Sequence, residues 1–196
     1  DLLTYAFHKI SGVPENHIVG SGTALDTIRL QAELAKRFHI SPKNVHAHIY
    51  GEHGASSFVP WSRATIANNH IDEYKNNVPA EEAAHIKWDG NYDEVLEFVR
   101  TSGGQVIKAK GATFYAIAIS VCHICKCILS GAGTALTVSG MMKGEYGVDD
   151  VCLSVLSLVD RQGIRCKITT PLSDEEVEKL HKSANALKEI IKGLDI

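Results

Sequence analysis

Long apolar runs are missing from this chain. The longest uncharged one, residues 114–122, falls far short of the ~20 residues that span a bilayer. An excess of positive charge is missing too. Against 23 aspartates and glutamates stand 20 lysines and arginines, a net charge of −3, so nothing provides the basic footprint of a nucleic-acid-binding surface. No secretory signal pattern is present, and the chain begins at Asp1 rather than a methionine, so the natural start is expected to lie upstream. The five cysteines are an odd number without the framework of a small secreted domain, and reduced thiols in a cytoplasmic setting are expected. Three of them crowd into Cys122-His123-Ile124-Cys125-Lys126-Cys127. A structural zinc site takes a second ligand pair from elsewhere, however, and Cys152 and Cys166 are single residues in strand-like runs. Small apolar thiols on a buried helix are the better expectation, and no metal is expected. Internal repeats, low-complexity segments and a linker that would split the chain are also absent. What is left, 196 residues with 44% hydrophobic and 22% charged, is an ordinary globular composition with enough chain for one sizeable core.

Hydrophobic periods then place the elements. Leu2, Leu3, Ala6 and Ile10 predict a short helix ending near Gly12 and Pro14, and His17-Ile18-Val19 a short strand. Residues 23–38 read as an amphipathic helix with a core stripe of Leu25, Ile28, Ala32 and Ala35. On another face of that helix Asp26, Arg29 and Glu33 follow one another a turn apart. Val45, Ala47 and Ile49 alternate with His46, His48 and Tyr50, the period of a half-buried strand. Residues 57–61 continue extended, with Pro60 placing them at a sheet edge, and residues 67–91 read as a surface excursion. Residues 92–110 keep helical phase through a Gly103-Gly104 pair that weakens the middle. A second apolar helix runs over about residues 113–129. Residues 134–138, 151–159 and 163–169 are β-rich and adjacent, which suggests an antiparallel meander. The chain closes over residues 173–192 with a helix that has a Ser173/Glu176 capping box and a stripe of Val177, Leu180, Ala184, Leu187 and Ile191. The expected fold is α+β: one domain, antiparallel strands packed with long helices.

Candidate chemistry concentrates in His48-Ile49-Tyr50-Gly51-Glu52-His53-Gly54. A strand end delivers His53 into a turn bracketed by glycines, where backbone can bend sharply and approach a ligand. The imidazole is then held but accessible, which general acid–base chemistry near neutral pH requires. Taken alone, a turn histidine solvated at the surface fits the same pattern. Asp26 and Arg29, three residues apart, share a helix face just after Gly20-Ser21-Gly22. An arginine fork suits a planar carboxylate, and a carboxylate can hold a histidine in one tautomer and favour its protonated form. The plain alternative is an intrahelical surface ion pair, worth under ~1 kcal/mol. Thr113, after Gly111, adds a hydroxyl. Together these residues describe a site for a small hydroxy or keto acid, with no nucleophile implied. Neither Gly-rich stretch is a dinucleotide loop. Gly20-Ser21-Gly22 has Leu25 at the third-glycine position and no acid between Glu33 and Glu52, while Gly131-Ala132-Gly133 has Leu136 there and follows a helix.

Gly20-Ser21-Gly22-Thr23 with Leu25-Asp26-Thr27 and Arg29, then Gly51-Glu52-His53-Gly54, then Lys110-Gly111-Ala112-Thr113, resemble the L-lactate dehydrogenases of the lactate/malate dehydrogenase family. Lys143-Gly144-Glu145-Tyr146-Gly147 and Gln162-Gly163-Ile164 fall where that family has similar segments. The Gly-Glu-His-Gly turn paired with Leu-Asp-x-x-Arg favours 2-hydroxy-acid enzymes over malate dehydrogenases. The resemblance covers essentially the whole chain and is to the C-terminal half of the family. Residues 1–196 are therefore expected to be the substrate-binding and catalytic domain, without the NAD-binding Rossmann domain, its mobile-loop arginine or an asparagine near the join. Such a piece alone is expected neither to bind NAD tightly nor to turn over.

The resemblance implies definite roles. His53 would exchange a proton with the keto oxygen of pyruvate or the hydroxyl of L-lactate as hydride passes to or from the nicotinamide of NAD. Asp26 would orient and stabilise the His53 imidazolium, Arg29 would grip the substrate carboxylate, and Thr113 would lie beside the substrate. Ser21 and Ile117 match positions that approach the nicotinamide. A cytoplasmic homodimer or homotetramer is implied, with no nucleic-acid or membrane partner. Some positions depart from the pattern: Ala55 where Asp or Asn is usual, Tyr50 where an aliphatic is usual, and Leu156 where proline is common. Gln31 stands where members activated by fructose 1,6-bisphosphate carry arginine, although His46 matches the companion histidine, and this argues against such activation. Gln31, Ala55 and Ser57-Phe58-Val59 lean towards the 2-hydroxyisocaproate dehydrogenases, the rival within the class. The rival outside it is a catalytically idle interaction or dimerisation domain, which would have no need of Asp26, Arg29 and His53 together.

Overall fold

The computed structural model describes residues 1–194. In chain order come α1 (Leu2–Ser11), α2 (Ala24–Phe38), β1 (Val45–His46), β2 (Thr65–Ile66), β3 (Asn69–His70), α3 (Ala80–Ala83), α4 (Tyr92–Lys110), α5 (Tyr115–Ser130), β4 (Thr134–Lys143), β5 (Asp149–Asp160), β6 (Gly163–Lys167) and α6 (Asp174–Ile191). The strands form two antiparallel sheets, β1-β2-β3 and β4-β5-β6, so the α+β expectation and the closing meander both hold.

The long sheet is covered on both faces, which explains why β5 reads as a nearly continuous apolar run rather than an alternating one. On one face Val151, Leu153 and Val155 pack with Leu180, Ala184 and Leu187 of α6. On the other, Tyr5 of α1 meets Met141 and Cys152, and a separate cluster joins Ile124 of α5 to Val138, Val159 and Ile164. A second core lies between α2, the small sheet and α4, built on Leu30, Leu34, Phe38, Ile49, Ile66, Trp88 and Val95. The capping box of α6 forms as expected. Ser173 Oγ accepts from the Glu176 amide at 3.3 Å, and the Glu176 carboxylate accepts from the Ser173 amide at 2.9 Å. Replacing Ser173 by alanine is expected to cost about 1 kcal/mol, read as a lower denaturant midpoint at unchanged slope.

Several elements differ from the reading of the sequence. In α2 the buried stripe is Thr27, Leu30, Leu34 and Phe38, whereas Ile28 is 43% exposed and Ala32 is exposed too. The helix carries two apolar stripes, and the heavier one went into the core, helped by the Thr27 hydroxyl. That hydroxyl accepts from the Ile49 amide at 3.0 Å and pairs with Thr137 at 2.8 Å. Residues 17–19 are not a strand. A 3₁₀ turn, Glu15–His17, leads to a single bridge between Gly20 and Ser139. In residues 45–50, Val45, Ala47 and Ile49 are buried as expected, but only Val45–His46 join a ladder. Tyr50 is also buried, because the chain there bridges to Phe58 and its neighbour Gly51 bridges to Ser154. Residues 67–91 are pinned inward by Ile71, Ile86 and Trp88 rather than looping free. Finally, α5 buries only Ser120, Ile124 and Cys127. Cys127 alone of the three clustered thiols is a core residue, while Cys122 and Cys125 are exposed. Among the described residues no group of His, Cys, Asp and Glu is placed to hold a metal, and no helix is long and apolar enough to cross a membrane.

Candidate active site

The first turn of α2 is seated on the long sheet by a close approach that only glycine permits. Gly22 has φ +47°, and a Cβ there would lie 2.1 Å from Ser154 Oγ and 2.7 Å from the Ser139 amide nitrogen. The Thr23 amide donates to that same Ser154 hydroxyl at 3.1 Å, and the Thr23 hydroxyl donates to the Ile49 carbonyl at 2.5 Å. This helix terminus is therefore packed against strand serines, not open to a pyrophosphate. Gly131, in the other Gly-rich stretch, is the left-handed cap that ends α5. Neither stretch forms a phosphate cradle, which agrees with the missing fingerprint.

The histidine turn is tied down from both sides. Gly51 and Ser154 exchange backbone bonds at 2.9 and 3.1 Å, and the Glu52 amide donates to Ser183 Oγ of α6 at 2.8 Å. The Glu52 carboxylate closes the turn by accepting from the Ser56 amide at 3.1 Å and the Ser56 hydroxyl at 2.7 Å. His53 is thereby projected at the start of α2. Its Nδ1 lies 2.5 Å from Asp26 Oδ2, and Arg29 Nη1 donates to the other oxygen, Oδ1, at 3.3 Å. Asp26 is nearly buried and serves both cations, while the His53 side chain is 60% exposed. Among the described residues nothing bonds the second ring nitrogen of His53. The hydrogen bond to Asp26 holds the His53 pKa above its ordinary 6.5, outweighing burial and the repulsion of Arg29.

Asp26, Arg29, His53 and Thr113 all line one cleft of about 580 Å³. Ser21 and Ile117 do not. Both are half-buried, Ser21 just ahead of α2 and Ile117 at the start of α5, one turn past Thr113. Sequence reasoning missed the wall opposite α2, which α4 supplies through Glu97, Arg100, Gly103, Gly104 and Ile107. The Arg100 guanidinium donates to the Ser57 carbonyl, bracing that wall against the histidine turn. Its signal was the regular spacing of these positions along α4, but only the packing of α4 on α2 turns that face into a site. Gln31, the position weighed for effector binding, donates to the Ala47 carbonyl at 3.2 Å.

Chemically, the arrangement offers a held imidazole with one free nitrogen, a carboxylate that favours its charged form, and a guanidinium next to both. The profile of the lactate/malate dehydrogenase, alpha/beta C-terminal domain matches residues 23–195. All 196 residues align at 41% identity with an L-lactate dehydrogenase of Acetivibrio thermocellus, covering 60% of that protein. An L-lactate dehydrogenase of Macrococcus caseolyticus is 43% identical over 190 residues, 97% of this chain and 58% of its own. Among solved structures, an L-lactate dehydrogenase from Clostridium thermocellum superposes with a TM-score of 0.88 at 35% identity, over 100% of this chain and 62% of the other. A minor L-lactate dehydrogenase from Enterococcus mundtii in a ligands-bound form gives 0.89 at 34% identity, over 100% and 60%. The chain thus spans about 60% of the length of the curated relatives it matches.

Proposed function

Because the chain belongs to the lactate/malate dehydrogenase family, through its alpha/beta C-terminal domain, we propose that it is the substrate-binding and catalytic part of an NAD-dependent L-lactate dehydrogenase that interconverts pyruvate and L-lactate. The observation that carries this reading is the single carboxylate of Asp26 joined to His53 at 2.5 Å and to Arg29 at 3.3 Å, at the edge of one cleft. NAD, held mainly by a nucleotide-binding domain outside residues 1–196, supplies the hydride acceptor or donor.

The chain's own residues do the rest. Arg29 holds the substrate carboxylate with a planar pair of N–H donors, which orients the adjacent carbon. His53, protonated and bonded through Nδ1 to Asp26, presents its other nitrogen to the keto oxygen. As that oxygen gains electron density it takes the Nε2 proton, and a neutral imidazole stays bonded to Asp26; lactate oxidation runs the transfer backwards. Asp26 keeps the ring in the tautomer this needs and stabilises the imidazolium. Thr113, in the cleft lining, would lie beside the substrate, and Ser21 and Ile117, outside that lining, would border the nicotinamide. A homodimer or homotetramer in the cytoplasm belongs to the same reading. Exposed apolar residues such as Leu3, Phe7 and Ile28 support a further covering surface, from the rest of the protein or from a second copy.

The relatives' names favour pyruvate over branched keto acids. The test is oxidation of NADH by the full-length protein with pyruvate. Turnover at the 1–1,000 per second typical of enzymes is the roughly expected outcome. Turnover of 2-ketoisocaproate but not of pyruvate would move the reading to the 2-hydroxyisocaproate dehydrogenases, and absence of turnover with either, in a protein that binds NADH, would overturn it in favour of an idle domain.

A further inference from the structure

The residue before His53 carries a carboxylate that the reaction does not use. Glu52 borders a cleft of about 790 Å³ against α6, not the one that His53 and Arg29 line. Its partners lie in its own turn and in α6. Oε1 accepts from the Ser56 amide at 3.1 Å and from the Ser56 hydroxyl at 2.7 Å. Ser183 is fully buried in α6, where its Oγ accepts from the Glu52 amide at 2.8 Å and lies 2.9 Å from Ser56 Oγ. A hydroxyl has one proton to give. With that of Ser56 on the carboxylate, the Ser56 oxygen is left to accept from Ser183. The bonds then close into a ring, from the Glu52 amide to Ser183, to Ser56 and back to the Glu52 carboxylate, in which each bond polarises the next. Both glycines of the motif make room for it. Gly51 has φ +94°, and a Cβ there would lie 2.7 Å from Ser183 Oγ, while a Cβ on Gly54 would lie 2.9 Å from Glu52 Oε1 and 3.0 Å from its Cδ. The next amide, that of His53, donates to Asp1 Oδ2 at 2.6 Å. Two successive amides are therefore pinned by side chains distant in the chain.

We propose that Glu52 is a positioning residue for His53: its carboxylate closes a hydrogen-bond ring through Ser56 and Ser183 that fixes the backbone from which the imidazole meets Asp26. This rests on the role of His53 given above. Glu52 acts by geometry, as an acceptor, and not by its charge. The reaction depends on that geometry because Nδ1 must stay on Asp26 while the other ring nitrogen meets the keto oxygen. A displacement of about 1 Å in such an alignment can cost about a hundredfold in rate. Through the Ser183 hydroxyl α6 thus reaches the reaction, although the residues lining the active cleft come from elsewhere.

The test measures kcat and KM for pyruvate in the full-length protein and in its Glu52→Ala, Glu52→Gln and Ser183→Ala variants, with a melting temperature for each to show that it is folded. Glu52→Ala and Ser183→Ala are each expected to lower kcat about tenfold. KM should change little, since the substrate carboxylate rests on Arg29 in α2. Glu52→Gln should recover most of the rate, because an amide oxygen accepts from the Ser56 amide and hydroxyl without carrying a charge. In a His53→Gln background Glu52→Ala should cost almost nothing further, because residues that act through one group are not additive. Three results each overturn the positioning role while leaving the reading of His53 intact: wild-type kcat in Glu52→Ala or Ser183→Ala, a Glu52→Gln variant as slow as Glu52→Ala, or a full additional loss in the His53→Gln background. A wild type that turns over neither pyruvate nor 2-ketoisocaproate overturns the functional reading, and the positioning role with it.

Discussion

Exchange of His53 for glutamine in the full-length protein is expected to lower turnover with pyruvate about a hundredfold or more. Glutamine keeps a hydrogen-bonding group in reach of Asp26 but has no proton to give at neutral pH. A residue that only shaped the turn would tolerate the change, because the turn is held by Gly51, Ser183 and Ser56 rather than by the imidazole. Unchanged turnover would therefore remove His53 from the reaction. The pH profile carries a second, independent reading. The Asp26 hydrogen bond raises the His53 pKa above 6.5, and reduction of pyruvate uses the protonated ring. Its rate should hold at low pH and fall as pH climbs through the raised value, while lactate oxidation should rise over the same interval. Asp26→Asn removes the cause of the shift, so both limbs should move to lower pH. Stability follows the same sign: the charged pair stabilises the fold fully below the unfolded histidine value and is lost as pH rises through the folded one.

Which parts of this protein could be read without coordinates follows from what each pattern encodes. The helix at 174–191 was legible because its start is local chemistry, a serine and a glutamate three residues apart, and its stripe is single. The strands at 134–143, 149–160 and 163–167 were legible because β-rich runs with short connections leave few alternatives. The buried face of α2 was not legible: two stripes of the same period compete, and the core chose the one ending in Phe38. Nor was the exposure of α5, since apolar content does not say whether a surface is covered by this domain or by another. Asp26, Arg29 and His53 were singled out because their spacing and glycine flanks describe chemistry, and the geometry brings them together. The α4 wall escaped notice because two adjacent glycines look like a weakness in a helix until something is known to lie opposite them.

Arg29 offers the sharpest contrast between a structural role and a functional one. As no more than an intrahelical partner of the nearly buried Asp26 at 3.3 Å, three residues on, it would matter to stability alone, and Arg29→Gln would weaken the fold but leave kinetics almost untouched. As the carboxylate anchor it should matter far more. Removing one side of a desolvated charge pair costs about 2–5 kcal/mol, so kcat/KM for pyruvate is expected to fall by about a hundredfold or more in Arg29→Gln. Arg29→Lys should recover only part of this, because a point charge cannot present two coplanar donors to a carboxylate. The division between constants adds detail. A loss confined to KM would mean that Arg29 only captures the acid, whereas a fall in kcat as well would mean that its grip aligns the keto carbon. The variant also deprives His53 of a repelling neighbour, since Arg29 lowers the histidine pKa. The high-pH limb of pyruvate reduction should accordingly move further up while the rate drops. A purely structural Arg29 would share that electrostatic shift but leave the maximal kcat/KM unchanged, so the size of the loss at low pH decides between the two.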